Sequence, residues 1–244
     1  MTRPFVDLHL RINPKDQPAA RRLITKAAKM GYNIISIPFT NDVHETEIVA
    51  LKAVCTQVGI DFALRADFKP RTQEDLTRFL RKFRRSFEVI CVVSDSKEVA
   101  RQAAKDRRVD LINFPSIDYH KRFFDRAEAE LASCSLVALE VDIKPLLAME
   151  GPARVRLLSC LRREVAIALE FHVPIVVSSG VGEEVLIRLP RDLASLGYLF
   201  GMNESDALDA VSTNPVAIVL RNREKLSSRF IAPGISVVKE GKSR

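Results

Sequence analysis

The chain has 244 residues, enough for one barrel-sized domain or two small ones. Its hydrophobic fraction of 47% and charged fraction of 28% are typical of a soluble globular protein, and no apolar run is long enough to cross a bilayer, which argues against an integral membrane protein. The net charge of +7, from 38 Lys and Arg against 31 Asp and Glu, indicates an anionic partner without identifying it.

Short β-branched runs alternate with amphipathic helical patterns over most of the length, which is typical of repeated βα units around a parallel sheet. Gly31 and Gly59 follow the first two helical patterns, where a glycine commonly ends a helix. The pattern predicts seven strands, with the sequences PFVDLHL, NIISIPF, DFALRAD, EVICVVS, DLINF, LVALEVD and PIVVSS.

The pattern changes after the seventh predicted strand. Three further helices are predicted, over 190–200, 203–212 and 215–226. The VAIVL run at 216–220 fits a helix better than an eighth strand, because Pro215 suits a first helical turn and basic residues follow. We therefore predict a distorted TIM-like (β/α) barrel of about seven parallel strands with extra C-terminal helices. It forms one domain over 1–232, followed by an extended basic tail over 233–244.

The first predicted strand carries Asp7 and His9, which point to one face because side chains alternate along a strand. Metal-dependent hydrolases use such a pair, but a cage needs three or four converging ligands. The alternative is that both side chains point into the barrel interior and pair with Arg11, Arg65 or one another, because buried charges need partners.

A second set of carboxylates lies on later strands. Glu140 and Asp142 share one face of the sixth predicted strand, and Asp67 could join them from the third. Oxygen ligands of this kind suit Mg²⁺, so a weak carboxylate site stays open at this stage.

The pattern over 72–87 predicts a helix whose two faces differ completely. Thr72 and Asp75 fit a capping box at its start. One stripe is apolar and comprises Leu76, Phe79, Leu80, Phe83 and Phe87. The opposite stripe carries four cations, Arg78, Arg81, Lys82 and Arg85. Like charges at this spacing repel one another and are more easily tolerated beside a polyanion, although an ordinary solvated face is the competing interpretation.

Basic residues also recur near the predicted strand ends. They are Arg107 and Arg108 before the fifth strand, Lys121 and Arg122 after it, and Lys69, Arg71, Lys144, Arg188 and Arg191 elsewhere. We expect them to converge where the loops of one barrel face meet. Arginine can bind phosphate through a bidentate fork, and stacking aromatics are few, so contacts to an RNA backbone are favoured over readout of unpaired bases.

The remaining reactive residue types give weaker signals. The four cysteines, at positions 55, 91, 134 and 160, lie in apolar contexts without paired spacing, which predicts buried thiols in a reducing compartment. The Ser178, Ser179 and Gly180 turn either cradles a phosphate or is an ordinary polar turn. The histidines at 44, 120 and 172 share no ligand spacing. His120 is the exception worth retaining, because Lys121 and Arg122 adjoin it.

Longer stretches resemble one family. They are FVDLHL at the start, DLINFP in the middle, and IVVSSGV, IRLPRDLASLGYLFGM and ALDAVSTNPVAIVLRNREKL near the end. Together they resemble the protein component 3 family of archaeal ribonuclease P, nearly end to end. The resemblance implies a barrel related to the polymerase and histidinol phosphatase (PHP) superfamily. It also implies a subunit of the ribonucleoprotein that removes the 5′ leader from precursor tRNA.

The resemblance implies further properties. In that family the catalytic RNA with its Mg²⁺ performs the hydrolysis, so no catalytic residue and no cofactor are expected in this chain. The expected partners are the ribonuclease P RNA, protein component 2 as a heterodimer or dimer of heterodimers, components 1 and 4, and precursor tRNA. A cytoplasmic location is expected, since the N-terminus lacks the apolar stretch of an export signal.

RNA contact is assigned first to Arg107, Arg108, Lys121, Arg122, Arg188 and Arg191, with His120 and the 72–87 cations second. The alternative function is a metal-dependent phosphoesterase of the PHP type, suggested by Asp7 and His9. Against it, the PHP superfamily opens with two histidines around one residue, and here the second is Arg11. A cation there would repel a metal, so we interpret Asp7, His9 and Arg11 as vestigial metal-site positions in which Arg11 replaces metal affinity by phosphate affinity. A phosphate-binding barrel enzyme using the 178–180 turn is the third hypothesis.

Overall fold

The computed structural model describes residues 3–39, 45–232 and 235–236. Within them seven parallel strands hydrogen-bond in chain order, which confirms the predicted TIM-like architecture. The strands are β1 (Val6–Asp7), β2 (Ile34–Phe39), β3 (Asp61–Phe68), β4 (Val89–Val93), β5 (Leu111–Asn113), β6 (Ala138–Asp142) and β7 (Ile175–Ser178). The first strand is shorter than predicted, although Leu10 N beyond it still donates to Ser36 O of β2 at 2.9 Å.

Helices follow the strands as the pattern indicates. They are α1 (Gln17–Lys29), α2 (Glu45–Val58), α3 (Gln73–Phe83), α4 (Lys97–Lys105), α5 (Arg126–Ser135), α6 (Lys144–Ala148), α7 (Gly151–Glu170), α8 (Pro190–Ser195), α9 (Glu204–Asp209) and α10 (Thr213–Leu226). The predicted glycine stops are confirmed, since Gly31 and Gly59 both have positive φ. None of the helices in the described ranges has the length and apolarity that a membrane crossing requires.

Among the residues that the structure describes, no eighth strand joins the barrel sheet. The backbone between α9 and α10 fills the gap between β1 and β7. There Val211 O accepts from Val6 N of β1 and Ala210 O accepts from Val177 N of β7, both at 2.9 Å. Above them, Arg11 N donates to Val181 O at 2.8 Å. The VAIVL run lies within α10, as predicted.

The predicted tail at 233–244 lies mostly outside the described residues. Ile235–Ser236 is an exception, because it forms a strand, β9, antiparallel to β8 (Phe230–Ala232). The predicted boundary at 232 therefore falls inside a two-stranded hairpin that the sequence pattern did not indicate.

The barrel interior is layered, because alternate residues of each strand point inward. At the amino ends of the strands the interior is apolar and is closed by Ile218 and Val219 of α10; its strand residues include Ile34, Ala63, Val89, Leu111, Ala138 and Val176. Two residues further along the same strands the inward side chains become polar at Ser36, Arg65, Asn113, Glu140 and Ser178, with the Cys91 thiol among them. An apolar layer at the amino ends of the strands thus packs against a polar centre near their carboxyl ends, where the functional sites of such barrels lie.

A further buried carboxyl group, that of Glu128, lies outside the barrel interior. Glu128, in the first turn of α5, is fully buried, and neither carboxyl oxygen has a hydrogen-bond partner among the described residues. Burial raises the pKa of Glu128 to about 8, aided by the Asp125 carboxylate and opposed by Arg101 and Lys97. The folded state therefore holds a proton that the unfolded chain loses near pH 4.5.

Replacing Glu128 by glutamine is expected to flatten the dependence of stability on pH. In the wild-type protein the free energy of unfolding should fall as pH rises between about 4.5 and 8, because only the folded state stays protonated there. At pH 8 the variant should be more stable by roughly 1–3 kcal/mol. Urea unfolding at pH 5.5 and 8 measures this, with exposed Glu130→Gln of the same helix as control. Equal pH slopes for the wild type and Glu128→Gln would contradict it.

Candidate functional site

The polar centre of the barrel is organised by Arg65, a residue of β3 with no solvent exposure. Its Nη1 and Nη2 donate to the two carboxylate oxygens of Glu140, the second at 2.7 Å, and its Nε donates to Asp67 at 2.6 Å. Nη1 also donates to Leu8 O at 2.8 Å. A guanidinium presents its donors in a rigid fork, and here that fork spans two carboxylates.

Glu140 receives three more donors, from Asn113 Nδ2 at 2.9 Å, from Ser178 Oγ at 2.8 Å and from the Cys91 thiol at 3.4 Å. Burial alone would raise the pKa of Glu140, but the charge and hydrogen bonds of Arg65 outweigh it and hold that pKa below its usual range. Burial would lower the pKa of Arg65, but the Asp67 and Glu140 carboxylates outweigh it and hold that pKa above its usual value. The centre is therefore a closed ion pair at neutral pH.

His9 lies next to this pair. Its Nδ1 is 2.7 Å from Asp142 Oδ1, and its Nε2 is 3.2 Å from Arg11 Nε and 3.5 Å from Asp67 Oδ2. Burial would lower the pKa of His9, but the Asp142 carboxylate has the opposite effect and the net pKa is raised. The prediction that His9 pairs with Arg11 is confirmed. Arg11 itself lies at the entrance, with its side chain 57% exposed.

Asp7 does not share this arrangement. Its Oδ1 accepts from the backbone N–H groups of His9 and Ser179, both at 3.1 Å, and its Oδ2 is buried with no partner in the ranges described. Burial raises the pKa of Asp7, against the effect of these hydrogen bonds. Asp7 therefore pairs with backbone amides, and of its expected partners Arg11, Arg65 and His9 it contacts His9, through the backbone N–H of that residue.

A hydrolytic metal ion does not fit the residues present. His9, Glu140 and Asp142 each offer one ligand atom, and these three atoms lie within 4.8 Å of one another, so three potential metal ligands do converge. However, the Arg65 guanidinium already neutralises Glu140 and binds Asp67, which are two of the three carboxylates at which the sequence left a weak Mg²⁺ site open. Arg65 thus binds Glu140 and Asp67, while Arg11 at the entrance lies 3.2 Å from His9 Nε2 and 3.5 Å from Asp142 Oδ2.

The turn after β7 does not offer free donors to a phosphate. Gly180 N donates to His9 O at 2.9 Å, Ser179 N donates to Asp7, and Ser178 Oγ donates to Glu140. A Cβ on Gly182 would lie 2.5 Å from Arg11 O, so the turn packs directly against the backbone after β1. Of the two interpretations, the structure supports the polar turn.

The cationic stripe of α3 is exposed, as predicted. Thr72 Oγ1 accepts from Asp75 N at 3.1 Å and caps the helix, while Leu76, Phe79 and Leu80 are buried. All four predicted cations, Arg78, Arg81, Lys82 and Arg85, are exposed, but the helix ends at Phe83 instead of at 87, so Arg85 lies in the turn that follows α3. The first three line a cleft of about 680 Å³ that also includes Gln102 of α4.

Arg122 corrects the sequence-based assignment. It is buried, and its Nε and Nη2 donate to the two carboxylate oxygens of Glu164 on α7 at 2.9 and 2.6 Å. Nη1 donates to Phe114 O at 3.1 Å. The guanidinium is therefore used internally and presents no surface to an RNA phosphate, so we remove Arg122 from the predicted RNA contacts.

The other predicted contacts do not meet at one barrel face, contrary to expectation. His120 and Lys121 are exposed in the loop after β5, at the carboxyl ends of the strands. Arg107 is exposed and Arg108 is partly buried with Asp106, both before β5 and so at the opposite end.

Arg188 and Arg191 also lie toward the amino ends. Tyr32 OH, just before β2, donates to Arg188 O at 3.1 Å, and Arg191 lies 6.0 Å from the ring centre of Phe5, just before β1. Arg188 donates to Val185 O, and Arg191 is exposed. The 182–189 segment thus runs from the carboxyl ends of the strands to their amino ends. The order of helices and strands in the sequence does not reveal this path.

The remaining residues singled out in the sequence have mixed outcomes. Cys55 and Cys91 are buried as predicted, but Cys134 is exposed and Cys160 is partly exposed. Position 44, with its histidine, lies outside the described residues.

Comparison with known proteins decides the family. The sequence matches the family described as "RNase P subunit p30" over residues 4–227. The chain belongs to the RNase P subunit p30 family. Relatives named ribonuclease P protein component 3 agree along the whole length. The one from Methanosarcina barkeri is 29% identical over 97% of both chains, and the one from Methanosarcina mazei is 28% identical over 97% of this chain and 94% of the other.

Solved structures support the p30 fold independently. A chain in a cryo-EM structure of archaeal ribonuclease P with mature tRNA has a TM-score of 0.81 at 20% identity, covering 98% of this chain and 100% of that one. An organophosphorus hydrolase mutant from Deinococcus radiodurans has a TM-score of 0.56 at 11% identity, covering 88% and 92%. The p30 barrel therefore shares its architecture with hydrolases, while its centre contains the Arg65 pair.

Proposed function

We propose that this p30 family member is a noncatalytic subunit of ribonuclease P, which removes the 5′ leader from precursor tRNA, and that it binds the RNA of that particle through exposed cations. The proposal rests on the family match over residues 4–227. The exposed α3 stripe and the net charge of +7 support contact with a polyanion. The hydrolytic step belongs to the RNA and its Mg²⁺.

The barrel centre supports the noncatalytic part of the proposal. The metal-dependent phosphoesterase alternative needs free ligands, and Arg65 already binds Glu140 and Asp67. A guanidinium cannot lower the pKa of a bound water in the way that a metal ion does. The phosphate-binding enzyme alternative needs free donors in the 178–180 turn, which are committed to internal acceptors.

The partners follow from the family. We propose contacts with the ribonuclease P RNA, with protein component 2 as a heterodimer or a dimer of heterodimers, and with components 1 and 4, in the cytoplasm. Among the first-ranked RNA contacts we retain Arg107, Arg108, Lys121, Arg188 and Arg191. His120 and the α3 stripe remain second.

Reconstitution of precursor-tRNA cleavage tests the proposal. The particle is assembled from RNA and the other protein components, with and without this chain, and the cleavage rate is measured across a Mg²⁺ titration. We expect the chain to lower the Mg²⁺ concentration needed for half-maximal cleavage, and the benefit to shrink at high Mg²⁺, because both neutralise phosphate charge. An identical titration with and without the chain would refute the proposal.

A further inference from the structure

A second cleft lies at the opposite end of the barrel from the Arg65 centre. It has a volume of about 540 Å³ and is formed by the loop before β5, the end of α5 and the last turns of α10. Its lining comprises Arg107, Cys134, Ser135, Leu136, Arg221, Glu224, Lys225 and Phe230. Three cations from two distant parts of the sequence therefore line one concave surface.

The residues that line this cleft carry more positive than negative charge. Arg221 Nη2 binds Asp110 at 3.1 Å, but the same carboxylate also binds Arg84 from α3's C-terminal end and accepts from Asn222 at 2.7 Å. Arg107 and Lys225 form no ion pair with any residue that the structure describes. The buried Asp110 carboxylate is thus shared by two arginines, and the three cations of the lining face one lining carboxylate, Glu224, which forms no ion pair with any described residue.

Two local features show that the cations are underneutralised. Arg221 Nε is buried and has no hydrogen-bond partner in the described part of the chain. The pKa of Lys225 is lowered, first by partial burial and then by the nearby charges of Arg221, Arg84 and Arg107, against the opposite effect of Asp110. Neighbouring cations that lower one another's pKa are stabilised when an anion binds between them.

We propose that this cleft binds a phosphate group of an RNA backbone, with Arg107, Arg221 and Lys225 as the ligands. The inference rests on the proposed function and adds a defined site at the amino ends of the strands. Phosphate offers several acceptor oxygens to donors arriving from different directions, and arginine matches its geometry. Leu136 is 57% exposed beside it, so the cleft also has an apolar wall for the ribose next to the phosphate.

The first test uses the double variant Arg107→Ala/Lys225→Ala, which leaves the Asp110 network intact. Binding of the intact chain to its ribonuclease P RNA is measured between about 50 and 200 mM salt. We expect affinity to fall about tenfold at low salt and the slope of log K against log salt to become shallower by about 1 to 2, because two fewer counterions are released. The matched control is Lys29→Ala/Lys52→Ala, which removes the same charge from exposed sites on α1 and α2.

The two hypotheses fail differently. If the chain binds RNA and supports cleavage, but the double variant behaves like the wild type or no worse than the control, the cleft assignment is overturned and the proposed function stands. If the wild-type chain neither binds the RNA nor changes cleavage, both are overturned.

The second test uses the exposed thiol in the cleft as a reporter. Cys134 alkylation by a maleimide is followed in a Cys160→Ser background, where the other two cysteines are buried. RNA should slow Cys134 modification at least severalfold in this background and not when Arg107 and Lys225 are also replaced. Protection by inorganic phosphate or by a mononucleotide, without protection by RNA, would assign the cleft to a free anion and overturn the RNA assignment.

Discussion

Replacing Arg65 by methionine is expected to lower the free energy of unfolding by about 3–5 kcal/mol, one of the two largest effects that we predict for a single substitution. The variant leaves Glu140 fully buried without its cationic partner and leaves Asp67 without the Nε donor. The hydrogen bonds from Asn113 and Ser178 remain, but they cannot neutralise a buried charge. Urea unfolding at pH 7 measures the effect.

Two controls separate the lost charge pair from lost volume. Arg78→Met, on the exposed stripe, removes the same guanidinium with an expected effect within about 0.5 kcal/mol. Arg65→Met/Glu140→Gln should recover at least half of the loss, because no uncompensated carboxylate remains. The deficit of the single variant should also shrink toward acidic pH, since protonation of Glu140 removes the buried charge. A double variant as unstable as Arg65→Met would show that the pair is not the source.

Replacing Arg122 by methionine is the second large effect, again about 3–5 kcal/mol of lost stability. Its guanidinium joins the loop after β5 to Glu164 on α7, and both partners are buried. The neighbouring Lys121→Met should change stability by less than about 0.5 kcal/mol, because Lys121 is exposed. Thermal and urea unfolding of the two variants measure the difference.

A double variant of Arg122 and Glu164 distinguishes a structural arginine from an RNA contact. Arg122→Met/Glu164→Leu should regain most of the stability, since two buried charges are replaced by apolar side chains of similar volume. This folded double variant should keep the salt slope of RNA binding of the wild type. A shallower slope by about 1 would return Arg122 to the set of RNA contacts.

Much of the barrel follows from the sequence. The β-branched runs identify all seven strands, and strand alternation places Glu140 and Asp142 on one face, as the structure has them. Strand alternation also puts Arg65 and Asp67 together on β3. It cannot show that Arg65 reaches Glu140 on β6, because that contact depends on how the sheet closes across the interior.

The pattern of α7 in the sequence indicates a buried arginine, although the composition does not. On α7 the buried positions are Leu157, Leu161, Glu164, Val165 and Ala168, so a glutamate occupies the apolar stripe. A carboxylate at such a position needs a cationic partner. That pattern predicts a buried arginine somewhere, although not which one, because the loop after β5 has no periodicity to separate Arg122 from Lys121.

The distribution of charge between the two barrel ends was not predictable from neighbouring residues alone. Arg107 and Lys225 are more than a hundred residues apart in the chain, and only the packing of α10 under the barrel brings them to one cleft. In the barrel centre Arg65 pairs with Glu140 and Asp67, while the cations of the α3 stripe lie on the outer surface.

Cleavage of precursor tRNA by a particle reconstituted with Asp142→Asn tests the central claim most directly. The isosteric amide keeps an oxygen for the hydrogen bond with His9 Nδ1 and removes the charge that a metal ion at His9, Glu140 and Asp142 would require. With the fold verified by circular dichroism, we predict a single-turnover rate within about twofold of the wild type. A loss of about a hundredfold at saturating Mg²⁺ would contradict a noncatalytic barrel centre.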